Sequence, residues 1–242
     1  RAPRPPRAQM GALAVSALGT VVGFPLGLAL ALRQVDAVHA AVVTGVLPLA
    51  TAVVAAVVLR QRPSAGFWAC ALTGCALVVA FAAHQGGGRL GPGDGWLGLA
   101  VVSAAVGYVA GARATTAMPA TQVIGWVLVG TLPLTLPAAL WLWPAQPVQA
   151  SAWAGFAYTG VFSMWLGFFA WYRALALGGV ARVSQVQLLQ PFLALLAAAA
   201  LLGERLDPAT LAFTVAVVGV VFVGKHTRVA RVVAPAAKGG AA

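Results

Sequence analysis

The side chains able to do chemistry are few and uncharged. Gln185, Gln187 and Gln190 lie together in one otherwise apolar run, and Thr44 lies in another. Gln187 and Gln190 are three apart, so on a helix they share a face. A glutamine amide deep in apolar surroundings needs a partner or water. Cavity lining is one reading and interhelical hydrogen bonding, often worth only about 1 kcal/mol, is the other. Pro48 and Pro191 sit near the middles of the same two runs. Each removes a backbone hydrogen bond and frees the carbonyl four residues earlier, at Thr44 and Gln187. Freed carbonyls must find partners or line a polar cavity. Two sites thus pair a backbone oxygen with a polar side chain, which is chemistry for holding a small polar molecule. Pro48 and Pro191 are expected to act as kinks or hinges beside it, with simple packing kinks as the alternative.

Aromatic residues add possible walls. Tyr158, Phe162, Trp165, Phe169 and Tyr172 form a stripe at helical spacing. Trp165 lies deepest, where its N–H needs an acceptor. Tyr108 and Trp126 are placed similarly, and these three are candidate cavity residues. Trp96, Trp141, Trp143, Trp153, Trp171 and Tyr172 fall near run ends and suit an interfacial belt. Catalysis has no support: there is no Ser/His/Asp set, no buried acid pair and no phosphate loop. An enzyme is not expected, nor a cofactor. Cys70 and Cys75 would stand about 7.5 Å apart along a helix and point different ways, which excludes a disulfide. No Cys/His cluster has zinc spacing.

The elements that must position these groups follow from composition. The chain has 242 residues, 61% hydrophobic and 8% charged, with a net charge of +11. Soluble domains are about 25% charged, and so few charges cannot cover a water-facing surface. The charges fall between long apolar runs, which argues for a bilayer and against nucleic acid. A span needs about 20 apolar residues. Eight stretches qualify, approximately 10–32, 37–59, 65–83, 95–118, 121–143, 152–172, 183–203 and 208–224. The first is too long for the 7–15-residue core of a signal peptide.

Threading eight helices from a cytoplasmic start sorts the basic residues. Arg1, Arg4, Arg7, Arg60, Arg62, Arg113, Arg173, Arg182, Lys225, Arg228, Arg231 and Lys238 fall inside, twelve in all, against Arg33, Arg89 and Arg205 outside. This positive-inside bias puts both termini in the cytoplasm. Arg113, near a helix end, can snorkel to headgroups or meet an anionic or zwitterionic substrate. His39 is read as interfacial. No helix interior holds Asp or Glu, so no intramembrane proton carrier is visible. Gly19, Gly23 and Gly27, and Gly107 and Gly111, are spaced four apart, a pattern that lets helices approach closely.

A repeat organises the stretches. Shifted by 143 residues, Ala31-Leu32 falls on Ala174-Leu175, Pro48 on Pro191 and Arg62 on Arg205. After a two-residue step, Pro63 falls on Pro208 and Gly74 on Gly219. Stretches one to three pair with six to eight. Partners five apart cross in opposite directions, and such inverted repeats are typical of secondary transporters. The fourth and fifth stretches have no partner, so two further helices are expected before Arg1.

Pro191, then Gly203-Glu204-Arg205-Leu206, then Gly219 resembles the EamA type of the drug/metabolite transporter superfamily. The first copy, Arg60-Gln61-Arg62-Pro63, has glutamine where the family has glutamate. The resemblance implies a ten-helix inner-membrane carrier, commonly an exporter of small metabolites.

The expected fold is therefore an all-α polytopic membrane helix bundle. About eight transmembrane helices are present here, from the inverted repeats of a five-plus-five carrier. Expected units are a first repeat at 1–83, a Gly-rich linker at 84–94, a second repeat at 95–227 and a basic cytoplasmic tail at 228–242. The expected function is alternating-access transport of small metabolites, amino acids or related compounds, in the export direction. A multidrug or organic-cation exporter and a non-transporting assembly or regulatory protein are the alternatives. Thr44, Tyr108, Trp126, Trp165, Gln187 and Gln190 are the expected substrate-binding residues. Partners are a small-molecule substrate and the bilayer, with protons as a candidate coupling ion and no nucleic acid or metal.

Overall fold

In the computed structural model, residues 4–35, 40, 43–86, 91–190, 192–193, 208–224, 226–227 and 229–231 are described. Uninterrupted apolar sequence makes α1 (Arg7–Ala31), α4 (Pro92–Ala114), α5 (Ala120–Trp141) and α6 (Ala150–Gly178), each long and apolar enough to cross a membrane. Even the 22 residues of α5 span about 33 Å at 1.5 Å per residue, against a bilayer core of about 30 Å. The remaining helices are α2 (Leu47–Val58), α3 (Ala65–Gly86), α7 (Val180–Ser184, continuing as a 3-10 turn over Gln185–Leu189) and α8 (Pro208–Gly224). Each expected stretch but the seventh holds one of these helices; α7 reaches the seventh, 183–203, only at its start, and residues 194–203 lie outside the described ones. α3 runs on to Gly86 and α4 starts at Pro92, so the link between them is shorter than its glycines imply.

Local chemistry sets several boundaries. The Asp94 carboxylate accepts the Gly91 N–H at the start of α4, and Pro92 takes the first helical position, where its missing N–H costs nothing. α4 stops where the Thr115 and Thr116 hydroxyls donate back to the carbonyls of Ala112 and Arg113. Gly179, at φ 83°, ends α6 and restarts the chain as α7; that left-handed conformation suits glycine alone. In α5, Pro133 and Pro137 lie inside the helix, and the Thr131 hydroxyl donates to the Val127 and Leu128 carbonyls just before them.

α4 is the most buried of the four long helices and α6 the least. α4 packs along α1 through glycine, as the spacing predicted. A Cβ on Gly19 would strike the backbone of Ser103 and Gly107, and one on Gly27 would meet the Trp96 carbonyl. Gly111 leaves room for the Tyr172 ring, which a side chain there would displace. A second apolar cluster, built on Cys75, Val78, Leu188, Phe192 and Val217, joins α3, the end of α7 and α8.

Three features differ from expectation. The second stretch is not one kinked helix. Val43 and Thr44 are helical, Gly45 and Val46 form a turn, and α2 begins at Leu47 with Pro48 in its first turn. Proline fits there, because N–H groups in a first turn have no intrahelical partner. The repeat-related run behaves similarly, with the Gln185–Leu189 3-10 turn placed just before Pro191; Pro191 itself lies outside the described residues. Second, α1 and α6 each contain a π segment, Leu18–Gly23 and Thr159–Leu166. The 143-residue shift carries Leu18–Gly23 onto Val161–Leu166, so the repeat extends into backbone irregularity. Such bulges are uncommon and frequently mark functional sites. Third, Gln61–Pro63 pairs antiparallel with Val229–Arg231, where a loop and a tail were expected.

Candidate functional site

The two irregular pairs of segments meet at one cavity of about 330 Å³, the size of a small-ligand site. Thr20 and Phe24 reach it from α1, Tyr108 from α4, and Ser163, Met164 and Phe168 from α6. The break before α2 contributes Thr44, Gly45, Leu47 and Pro48, and the end of α7 contributes Gln187 and Gln190. Thr20 and Ser163 are related by the 143-residue shift, as are Thr44 and Gln187. Positions related by that shift therefore line one cavity. Its lining holds hydroxyls, amides and aromatic rings and, among the described residues, no charged side chain.

Polar contacts fix these walls. The Pro48 carbonyl accepts from Ser184 Oγ at 3.3 Å and from Gln185 Nε2 at 3.2 Å, tying the first turn of α2 to α7. Gln187 and Tyr108 line the cavity together, and Gln187 Oε1 is buried with no hydrogen-bond partner among the described residues. An unmet buried acceptor is costly, and this one belongs to a cavity wall. Tyr108 packs against Phe168 and Trp171, with ring centroids 6.0 and 5.6 Å apart.

Four of the six expected binding residues, Thr44, Tyr108, Gln187 and Gln190, thus come together with Pro48. The other two do not join them. Trp126 lines a separate groove with Arg4, Arg7 and Leu13. Trp165 is 44% exposed and meets Phe169 edge-on at 5.5 Å. Arg113 is exposed on a further groove beside Ala8, Gly11 and Val58. His39 and the Gly203-Glu204-Arg205-Leu206 motif lie outside the described residues. Thr20, Phe24, Ser163 and Phe168 were not foreseen; the signal for Thr20 and Ser163 was the same shift, carried back before Ala31.

Tyr172 corrects the belt reading. It is 0% exposed, and its hydroxyl meets Ser16 Oγ at 2.7 Å. Thr20 Oγ1 donates to the Ser16 carbonyl at 2.8 Å, so this buried pair adjoins the cavity wall. Tyr172→Phe keeps the ring and strands Ser16. The expected loss is about 1–2 kcal/mol, seen as a melting midpoint lower by a few degrees. Adding Ser16→Ala should restore part of it, because no unmatched polar atom remains.

The comparisons with known proteins agree with this architecture. Residues 91–224 match the model of the EamA-like transporter family. A Bacillus subtilis (strain 168) protein named "Uncharacterized transporter YdeK" is 42% identical over 220 residues, covering 90% of this chain and 77% of that protein. A solved structure, described as the crystal structure of a protein, matches with a TM-score of 0.77 at 21% identity, covering 93% of this chain and 80% of the other; this likeness bears on the fold alone. The chain belongs to the EamA-like family of the drug/metabolite transporter superfamily and is a membrane transporter.

Proposed function

We propose that the cavity between the repeats is the substrate site of an alternating-access carrier for amino acids and related zwitterions. The proposed direction is export across the inner membrane, with both termini cytoplasmic. The observation that carries this reading is the unpaired Gln187 Oε1 on the wall of a cavity built from repeat-related polar positions.

The chemistry favours a small molecule with no net charge. An ion without a counter-charge in a low-dielectric cavity is strongly disfavoured, and the described lining supplies none. A zwitterion can be matched by weaker dipoles. Leu47, at the N-terminus of α2, lines the cavity; that positive end of the half-helix suits a carboxylate. Gln187 Oε1, on the wall of the same cavity, suits an ammonium group. Phe24, Phe168 and Tyr108 leave an apolar and aromatic face for the rest of the molecule.

Movement fits the same parts. The break at Gly45–Val46 and the 3-10 turn at Gln185–Leu189 are the places where each repeat can bend, and discontinuous helices of this kind serve alternating access. An organic-cation exporter is the second reading, supported by the aromatic wall.

Thermal stabilisation by a compound panel separates the two. Neutral amino acids should raise the melting midpoint in a saturable way. They should do so weakly or not at all in Gln187→Leu. Stabilisation by quaternary amines alone would favour the cation reading.

A further inference from the structure

The groove that holds Trp126 has a composition of its own. It runs between α1 and α5, with a volume of about 600 Å³. Its floor is apolar, from Met10, Leu13, Trp126 and Val127, and Arg4 and Arg7 stand at one end. Those two are its only charged lining residues among the described ones. Both arginines are exposed, and neither guanidinium has a hydrogen-bond or ion-pair partner among the described residues. From Arg7 to Ala17 the groove follows ten residues of helix, about 15 Å, the reach of much of an acyl chain. None of its lining residues also lines the central cavity.

Among the described residues, no acidic side chain answers these charges. Asp94 begins α4, whereas Arg113 ends it and shares its groove with Ala8 and Gly11, next to the arginine pair. Asp94 is thus about a full α4 length away, some 30 Å, well beyond the screening distance at physiological salt. The mouth of the groove asks for an anion, and its floor asks for hydrocarbon on the same molecule.

We propose that this groove is a binding site for an anionic phospholipid. The phosphate sits between Arg4 and Arg7, and one acyl chain lies along α1 against Trp126. Guanidinium groups pair well with phosphate oxygens, and basic clefts between membrane helices are suited to anionic headgroups. A soluble anion would use the mouth alone and leave the apolar floor open.

The test is native mass spectrometry of the full-length transporter, titrated with phosphatidylglycerol and with phosphatidylcholine. Phosphatidylglycerol should bind first and saturate at one tight site. Arg4→Gln with Arg7→Gln should weaken that site about tenfold or more, since each basic charge is worth up to about fivefold. Arg173→Gln, an exposed cation outside the groove, should change little. Equal binding of the two lipids, no effect of the double exchange, or the same loss in Arg173→Gln would each overturn the proposal. A second readout leaves the arginines untouched. Brominated phosphatidylglycerol should quench tryptophan emission more than brominated phosphatidylcholine, and the difference should vanish in Trp126→Phe. Quenching that does not distinguish the lipids, or a difference that survives in Trp126→Phe, counts against the site.

Discussion

Exchanging Gln187 and Gln190 together for leucine should lower transport about 10- to 100-fold while the helical fold and melting midpoint stay close to those of the parent. Both side chains line the central cavity, and leucine has similar volume, so packing changes little. What goes is the buried Gln187 Oε1, which has no partner among the described residues, and the Gln190 amide. A hydrogen bond to a charged group is worth about 1.5–3 kcal/mol, which sets the range. Flux in proteoliposomes and circular dichroism of the same preparations check it together. Parent-like flux from the double variant would remove these residues from the site.

A larger structural effect is expected at Gly19. Its α-carbon lies so close to α4 that an added Cβ would strike the Ser103 carbonyl oxygen and the Gly107 backbone. Backbone cannot step aside as a flexible side chain can. Gly19→Leu must therefore separate α1 from α4, or force α1 to rotate. Either change disturbs Thr20, next in sequence and a wall of the cavity. Overpacking typically costs 1–3 kcal/mol and occasionally more, so the melting midpoint should drop by about 5 °C or more, with flux lost. Gly11, with nothing within 4 Å of a built Cβ, is the control: Gly11→Leu should melt like the parent. Equal melting of the Gly19 and Gly11 variants would show that the α1–α4 contact is looser than described.

Much of this is legible in the amino-acid sequence. Apolar run lengths mark the helices, and the 143-residue shift relates Thr44 to Gln187, which line one cavity. The facing of aromatic residues was not legible. In lipid, a helix is apolar on both its outer and inner sides, so periodicity does not say which way Trp126 or Trp165 points. Tyr172 looked interfacial because it lies near a run end; what buries it is the space left by Gly111, a contact between distant parts of the sequence. Pro48 was read as a kink because a proline in a long apolar run usually is one. Gly45 and Val46 before it made a full break. The π segments arise within ordinary helix-forming sequence, and only their repetition at the same shift marks them out.

The central claim is that the cavity at the repeat interface carries a small zwitterion across the membrane. Counterflow tests it most directly. Proteoliposomes holding the full-length transporter would be loaded with an unlabelled neutral amino acid and exposed to a labelled trace of it. Saturable, transient accumulation above equilibrium is expected, and it should be lost in the Gln187→Leu and Gln190→Leu double variant. No accumulation for any neutral amino acid from folded protein, or accumulation unchanged in that variant, would contradict the account.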